Sequence, residues 1–296
     1  MDVQPNEAAN PTHLEILNLH QCFGGVMGFY RHDSEETHCS MRFSVFVPPL
    51  ALKQQVPVLY YLAGLTCNEE TFMIKAGAQR IAADLGIMLV APDTSPRGVP
   101  LPGDNDSWDF GIGAGFYLDA TQEPWAKHYR MYSYVTRELP ALIEANFPVD
   151  RAHMGIFGHS MGGHGALTIA LKNPDLYHSV SAFAPISAPM RAPWGEKAFS
   201  RYLGADREQW KQYDASELVA GLTDARRRPP ILIDQGLSDP FLEQQLYPQV
   251  FEEACRKVHY PLTLRRHTGY DHGYYFISTY MEDHLRHHAR MLHRRT

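Results

Sequence analysis

The sequence predicts an α/β fold, in which an antiparallel N-terminal meander leads into a mostly parallel central sheet with helices on both faces. Three observations support this prediction. Short alternating segments separated by turn residues occupy the first fifty positions, which is typical of antiparallel strands. Continuous apolar runs follow, as expected of strands covered on both faces. Helical patterns lie between these runs, and this alternation favours a parallel sheet.

Nine strands are predicted in chain order. The three alternating segments lie at 14–20, 25–32 and 41–49. The six continuous apolar runs lie at 56–64, 87–92, 153–158, 179–185, 230–236 and 261–267. Because the chain shows neither an internal repeat nor a convincing linker, it is interpreted as one domain spanning 1–296, with 1–12 as a flexible N-terminal extension.

Five helices are predicted from apolar residues at helical spacing, at 71–85, 129–147, 161–171, 246–257 and 274–293. Two loops, at 94–120 and 186–204, are longer than connections usually are. The first contains Trp108, and the second contains Trp194 within Pro-Trp-Gly. Their aromatic residues either line a pocket or only pin the loops to the body of the protein.

Composition excludes several classes of partner. The chain has 27 Lys and Arg residues against 33 Asp and Glu, so its formal net charge is -6. This balance gives no electrostatic basis for binding nucleic acid or an anionic membrane surface. No apolar run approaches the roughly 20 residues that cross a bilayer. We therefore expect no nucleic-acid partner and no membrane.

The N-terminal stretch lacks both a basic segment and an apolar segment of the kind that directs secretion. Four scattered cysteines, Cys22, Cys39, Cys67 and Cys255, show no CxxC spacing. Free thiols in a reducing cytoplasm are therefore expected rather than disulfides.

Ser160 lies in Gly158-His159-Ser160-Met161-Gly162, between a predicted strand and a predicted helix. The G-x-S-x-G pattern is weak alone, but small residues are needed where a sharp strand-to-helix turn presents a nucleophile. We interpret Ser160 as a nucleophile rather than as part of a structural Gly-Ser turn. The Met161 N–H, at the start of the helix, is then placed to stabilise an oxyanion.

A nucleophilic serine requires a histidine and a carboxylate, which follow it in the order acid then histidine in this type of fold. Asp234 and Asp239 are both candidates, and Asp239 is favoured because it lies in the loop after the strand. His272, flanked by Gly269 and Gly273 before the last helix, is the favoured base, whereas His267 is expected to end the preceding strand.

Four further histidines, at positions 284, 287, 288 and 293, lie on the predicted last helix, where a solvated face is expected rather than a metal site. An oxyanion hole needs a second donor from the loop after the strand at 56–64. Gly64 allows a close approach there, so the Leu65 N–H is expected to act with that of Met161. Cys67 is interpreted as a free thiol near this site rather than as a rival nucleophile.

The chain resembles the S-formylglutathione hydrolases, also called the esterase D family, over most of its length. The motifs that carry the resemblance include YYLAGLTCNEETF, GHSMGGHGAL, PWGEKAFSRYLG, DQGLSDPFL and GYDHGYYFI. The resemblance implies an α/β-hydrolase fold and hydrolysis of S-formylglutathione to glutathione and formate in formaldehyde detoxification. It also implies Ser160, Asp239 and His272 as the triad, Leu65 and Met161 as oxyanion-hole donors, no cofactor and a homodimer.

Three positions depart from the family pattern: Ala188, Ala192 and Gly273. These departures affect details of the substrate pocket rather than the chemistry. A broad-specificity short-chain carboxylesterase is the alternative function, and an acyltransferase is a further possibility. Arg97, Lys127 and Lys197 are charges available to glutathione carboxylates, although a solvated surface role is the default for each.

Overall fold

The computed structural model describes residues 14–293, so the proposed N-terminal extension at 1–12 lies outside the described residues. Within that range every predicted strand is present. The strands are β1 (Glu15–Cys22), β2 (Gly25–Ser34), β3 (Cys39–Val47), β4 (Val56–Leu62), β5 (Met88–Pro92), β6 (Val149–His159), β7 (Ser179–Phe183), β8 (Ile231–Gly236) and β9 (Leu262–His267). They form one sheet in the spatial order β1-β2-β3-β5-β4-β6-β7-β8-β9.

Pairing within the sheet follows the predicted division. The contacts β1–β2, β2–β3 and β3–β5 are antiparallel, whereas all pairs from β5–β4 to β8–β9 are parallel. Every residue of β4, β5, β7 and β8 is buried, as their continuous apolar runs predicted. The expectation of burial on both faces is wrong for β9, which lies at the end of the sheet opposite β1 and contains no buried residue. The edge strand β1 is exposed along almost all of its length.

Ten α-helices accompany the sheet in the part of the chain that the structure describes. They are α1 (Thr71–Lys75), α2 (Gln79–Leu85), α3 (Met131–Ser133), α4 (Leu139–Asn146), α5 (Met161–Lys172), α6 (Pro193–Tyr202), α7 (Arg207–Trp210), α8 (Ala215–Ala220), α9 (Pro248–Lys257) and α10 (Tyr274–Leu292). No helix among residues 14–293 is long and apolar enough to span a membrane.

Helices cover both faces of the sheet, as the adjacent residues Ser181 and Ala182 of β7 demonstrate. The Ser181 hydroxyl hydrogen-bonds to His284 of α10, whereas Ala182 lies against Gly163 of α5. Successive residues of a strand point to opposite faces, so α5 and α10 lie on opposite sides.

Two predicted helices differ from the observed ones. The helix expected at 71–85 is divided into α1 and α2, because Gly77 adopts a left-handed conformation with φ of 67°. The helix expected at 129–147 contains a π turn at Tyr134–Glu138, in which the Leu139 N–H bonds to the Tyr134 carbonyl. Pro140 has no N–H with which to continue regular α-helical hydrogen bonding at this point.

The prediction of a loop throughout 186–204 is wrong, since α6 occupies half of that segment. Pro193 stands at the first helical position, where its missing N–H costs no hydrogen bond. The other long segment, 94–120, contains no helix or strand longer than an isolated bridge. Three of its aromatic residues, Phe110, Phe116 and Tyr117, are buried and pin the loop, while Trp108 remains 56% exposed.

Candidate active site

The carboxyl ends of β4, β6, β8 and β9 meet at one edge of the sheet, because these strands run parallel. The loops that follow them carry Leu65, Ser160, Asp239 and His272. A ligand site at the carboxyl ends of parallel strands is the usual position in open α/β sheets.

Ser160 occupies the tight turn between β6 and α5. Its backbone has φ of 56° and ψ of -118°, a strained combination for a residue with a side chain. The glycines on both sides are needed for close packing. A Cβ on Gly158 would collide with the Gly162 carbonyl, and one on Gly162 would collide with the Leu62 carbonyl. The geometry is that of a nucleophile elbow, in which the serine side chain projects from a sharp strand-to-helix turn.

Asp239 and His272 are in direct contact, with 2.5 Å between Asp239 Oδ2 and His272 Nδ1. The Asp239 side chain is fully buried. It also accepts hydrogen bonds from the Phe241 N–H at 2.8 Å and from Gln235 Nε2 at 3.2 Å. These donors satisfy a buried carboxylate that would otherwise be unfavourable. With Nδ1 donating to Asp239, the neutral imidazole presents Nε2 as an acceptor.

His272 packs beside the serine turn. Its ring centroid lies 4.4 Å from that of His159, the residue before Ser160. Among the described residues, Ser160 Oγ makes no hydrogen bond with His272 or with another protein group. Hydrogen bonds between nucleophile and base are often long without substrate and shorten in the reactive complex. The structure therefore brings Asp239 and His272 together and places His272 next to the turn that carries Ser160.

The loops that carry the acid and the histidine are joined through their backbones. The Leu237 N–H donates to the His267 carbonyl, and the Ser238 N–H donates to the Tyr270 carbonyl, each at 2.9 Å. These bonds fix the relative position of Asp239 and His272.

The loop after β4 passes directly beside Ser160. A Cβ on Gly64 would lie 3.2 Å from the Ser160 Cβ, so only glycine permits this approach without displacement. Within residues 14–293, the Leu65 N–H has no protein acceptor. The Met161 N–H, in the first turn of α5, has no intrahelical acceptor either. Two backbone donors near Ser160 are thus available to a negatively charged oxygen.

Cys67 ends the same loop as a half-buried free thiol. Burial raises the pKa of the Cys67 thiol, despite the opposing influence of neighbouring Thr71 and Lys75. At neutral pH the thiol form therefore predominates, and it is a weak nucleophile compared with the thiolate.

Asp234 lies in β8, away from the Asp239–His272 contact, and is fully buried. Arg265 donates two hydrogen bonds to it at 2.6 and 2.5 Å, and His284 Nε2 lies 3.2 Å from its Oδ2. Burial opposes ionisation, but the hydrogen bonds from His284 and Arg265 hold the pKa of Asp234 well below its usual range.

His267 ends β9, as predicted, with Nε2 at 3.2 Å from Asp234 Oδ1.

The expectation of a solvated histidine face on the last helix is wrong for three of the four residues. His284, His287 and His288 are buried and hydrogen-bond to groups of β7, whereas His293 is exposed. Burial lowers the pKa of all three buried residues, that of His287 to about 4. Within 14–293 no group of three or more His, Cys, Asp or Glu side chains is arranged to hold a metal ion.

An aromatic row that the sequence did not predict leads away from His272. The ring centroids are separated by 5.0 Å from His272 to Phe241, 4.7 Å from Phe241 to Trp194 and 5.5 Å from Trp194 to Trp108. The sequence identified Trp108 and Trp194 only as loop aromatics. Phe241 was available as a signal, since it follows Asp239 by two positions.

Two of the three charges considered for glutathione carboxylates already have partners. Lys197 contacts Asp109 and donates to Ser107 Oγ at 2.9 Å. Arg97 donates to Asp93 and to the Cys67 carbonyl. Neither is an uncommitted surface charge.

Comparison with known proteins gives a consistent result. The family model described as "Putative esterase" matches residues 34–287. Over 280 residues the chain is 54% identical to S-formylglutathione hydrolase of Mus musculus and 53% identical to that of Rattus norvegicus, in each case covering 94% of this chain and 99% of the relative. The structure of an S-formylglutathione hydrolase from Agrobacterium tumefaciens aligns with a TM-score of 0.91 at 54% identity, covering 94% of this chain and 99% of that one. This chain therefore belongs to the S-formylglutathione hydrolase family of esterases.

Proposed function

We propose that this protein hydrolyses the thioester S-formylglutathione to glutathione and formate, as a step in formaldehyde detoxification. In this proposal Ser160 is the nucleophile, His272 the general base and acid, and Asp239 the carboxylate that orients His272. The observation that carries it is the contact between buried Asp239 and His272, next to a strained serine turn, in a chain of this family.

The acylation step uses the free Nε2 of His272. Ser160 Oγ attacks the formyl carbon while His272 accepts its proton, and Asp239 stabilises the imidazolium that forms. The carbonyl oxygen becomes an oxyanion that accepts hydrogen bonds from the Leu65 and Met161 N–H groups. One such donor typically contributes about 3 kcal/mol to transition-state stabilisation. The C–S bond then breaks, and glutathione leaves as a thiol with the proton from His272.

Deacylation repeats the same chemistry with water. His272 takes a proton from water, the hydroxide attacks the formyl-serine, and the same two N–H groups bind the second oxyanion. Collapse of this intermediate releases formate and returns the proton to Ser160 Oγ. Backbone and side-chain groups of the chain account for every step, so the proposal includes no metal ion or organic cofactor.

The aromatic row supports a small acyl group and an extended leaving group. Phe241 packs against His272 and Trp194 packs against Phe241, whereas Trp108 lies at the exposed end of the row. In this proposal the formyl group lies between Ser160 and His272, and the peptide part of a glutathione thioester extends along the aromatic row toward solvent.

The decisive assay compares kcat/KM for S-formylglutathione with kcat/KM for a short acetate ester. We expect the thioester to be the better substrate, because a thiol leaves more readily than an alcohol and the leaving group gains contacts along the row. Equal or higher efficiency on the acetate ester would contradict the substrate assignment and favour a broad-specificity short-chain carboxylesterase.

We further propose a homodimer formed through the exposed edge of the sheet. Ile16 and Leu19 of β1 are 56% and 50% exposed, and Phe23 in the following turn is 51% exposed. An apolar edge strand is a template for pairing with another strand. Pairing of two β1 strands around a twofold axis would give an isologous interface.

A cytoplasmic location is also proposed. All four cysteines lie in the described part of the chain and are free thiols, which supports a reducing compartment. Detection of the protein in the cytoplasmic fraction of its source cells would support this location, and its recovery outside the cytoplasm would contradict it.

A further inference from the structure

The loop that presents the Leu65 N–H contains a strained residue. Thr66 has φ of 69°, in the left-handed region that favours glycine. Its side chain is exposed and makes no hydrogen bond within residues 14–293 that would explain this conformation. Such strain persists only where the surrounding structure holds the backbone in place.

Hydrogen bonds hold the backbone on both sides of Leu65. The Tyr117 hydroxyl donates to the Ala63 carbonyl at 2.9 Å, and the Thr66 N–H donates to the Gly113 carbonyl at 2.9 Å. Across the turn, the Cys67 N–H donates to the Gly64 carbonyl at 3.3 Å. The free Leu65 N–H therefore lies inside a loop whose neighbouring backbone groups are already bonded.

The Cys67 carbonyl is the most firmly held of these groups. Thr94 Oγ1 donates to it at 2.5 Å and Arg97 Nη2 at 3.1 Å. Both donors are fixed by Asp93, which is buried: its Oδ1 accepts from the Thr94 N–H and its Oδ2 from Arg97 Nε, each at 2.7 Å. One carboxylate thus positions both side chains that bind the carbonyl.

We propose that Thr94 and Arg97 are positioning residues that keep the Thr66–Cys67 turn strained and thereby keep the Leu65 N–H directed at the oxyanion. This inference rests on the oxyanion-hole role proposed above for Leu65. Thr94 and Arg97 act through the Cys67 carbonyl and are not themselves in contact with the reacting atoms.

Arg97 could instead bind a carboxylate of the glutathione part of the substrate, and kinetics separate the two roles. A positioning residue changes transition-state stabilisation equally for every substrate that forms the oxyanion, so it lowers kcat. A residue that binds the glutathione carboxylate raises KM for S-formylglutathione and leaves a neutral acetate ester unaffected.

The test compares Arg97→Gln and Thr94→Val with the conservative variant Thr94→Ser, which retains the hydroxyl. Arg42→Gln is the matched control, because Arg42 and Arg97 line one surface cavity but the Arg42 side chain does not reach the Cys67 carbonyl. For each variant, kcat and KM are measured on S-formylglutathione and on a neutral acetate ester. The inhibition constant of a short trifluoromethyl ketone, whose adduct carries the oxyanion, is measured as well.

For Arg97→Gln and Thr94→Val we expect kcat to fall about 10-fold to 100-fold on both substrates, less than the 10²–10³-fold loss when an oxyanion donor is removed outright. KM should stay constant, and the inhibitor should bind more weakly by a similar factor. Thr94→Ser and Arg42→Gln should keep wild-type values. A rise in KM confined to S-formylglutathione, an unchanged inhibition constant, or equal losses in Thr94→Ser and Thr94→Val would overturn the proposal.

A second variant tests the role of strain directly. The hydrogen bonds from Thr94 and Arg97 to the Cys67 carbonyl form a clamp on the turn. Glycine adopts positive φ without cost, so Thr66→Gly should let the turn form without this clamp. When Thr66→Gly is combined with Arg97→Gln, we expect kcat to be at least threefold higher than in Arg97→Gln alone. Strictly additive effects of the two substitutions would count against the proposal. The acetate ester keeps this experiment independent of the substrate assignment, and covalent labelling of Ser160 tests the nucleophile independently of the clamp.

Discussion

Asp234 and Asp239 differ in what their side chains contact, although they are five positions apart. At the carboxyl end of the sheet, Asp239 accepts hydrogen bonds from His272 Nδ1, from Gln235 Nε2 and from the Phe241 N–H. Asp234 is enclosed within the sheet by Arg265 and His284. The first arrangement fixes an imidazole next to the serine turn, and the second joins β8, β9 and α10.

Separate substitutions should therefore have opposite signatures. Asp239→Asn should lower kcat by about 10³-fold to 10⁴-fold, because the wrong tautomer of His272 is favoured, with little loss of stability. Asp234→Asn should lower the free energy of unfolding by about 3 kcal/mol, because a buried ion pair loses one charge, and should leave most of kcat. Steady-state kinetics and urea denaturation of both variants measure this; the reverse pattern would identify Asp234 as the triad acid.

At the scale of elements, α10 is attached to the sheet by a directional chain of hydrogen bonds. Because Asp234 accepts from His284 Nε2, His284 Nδ1 must accept from the Ser181 hydroxyl, at 2.8 Å. Ser181 Oγ then accepts from His288 Nε2, and His288 Nδ1 accepts from Ser179. Asp234, His284 and Ser181 thus form a second Ser-His-Asp arrangement, which is fully buried and joins α10 to β7 and β8.

The buried histidines should make the fold sensitive to acid. Burial lowers the pKa of His159, His164, His284, His287 and His288. The unfolded chain binds protons at these histidines below about pH 6.5, whereas the folded chain binds them only at lower pH, with a pKa of about 4 for His164 and His287. Stability is therefore full above pH 6.5 and falls as the pH decreases below it. Each histidine contributes up to about 1.4 kcal/mol per pH unit. Three carboxyl groups with raised pKa values oppose this effect, but they are fewer than the buried histidines: Asp214, Asp93 and Glu69.

Urea denaturation at pH 7.5 and pH 5.5 measures the effect, and we expect a lower free energy of unfolding at pH 5.5. His164→Gln is the informative variant, because an amide can still donate to the Phe116 carbonyl that His164 Nε2 contacts. This variant should bind about one proton fewer on unfolding in acid, so the free energy of unfolding should depend less steeply on pH. Equal stability at both pH values, or an unchanged slope in His164→Gln, would contradict this account.

The elements also show where sequence reasoning succeeds. Strands β4, β5, β7 and β8 were predictable because burial on both faces produces continuous apolar runs. Helix α6 was missed because Pro193 and Gly195 are typical of loops, although both are accommodated at a helix start. The polarity of the α10 histidines predicts a solvated face, yet three of them are buried. Their burial depends on serines of β7 about 100 positions away, and no local pattern reveals such partners.

The candidate site residues also divide into those that the local sequence reveals and those that depend on contacts between distant segments. Ser160 is marked by its own glycines, and Asp239 and His272 by their order after later strands. The clamp of Thr94 and Arg97 on the Cys67 carbonyl joins two loops and could be found only in the structure.

At the scale of the whole molecule, no strand of the described residues pairs with the outer edge of β1. If two chains pair there, Leu19→Glu should shift the protein from dimer to monomer, because like charges would face each other across the interface and the apolar contact would be lost. Light scattering at several concentrations measures the mass. Leu52→Glu, at a 74% exposed position outside β1, is the control and should remain dimeric. A monomeric wild type, or a dimeric Leu19→Glu variant, would contradict the proposed interface.

Within residues 14–293, a buried Ser-His-Asp arrangement lies beneath α10 in addition to the proposed triad at the carboxyl edge of the sheet, and only the triad is proposed to react. The most direct test is reaction with a fluorophosphonate probe, followed by peptide mapping, with and without excess S-formylglutathione. We predict one adduct, on Ser160, whose formation is slowed by S-formylglutathione and is absent in Ser160→Ala. An adduct on Ser181 or Cys67, or labelling of Ser160 that S-formylglutathione does not slow, would contradict the proposed function.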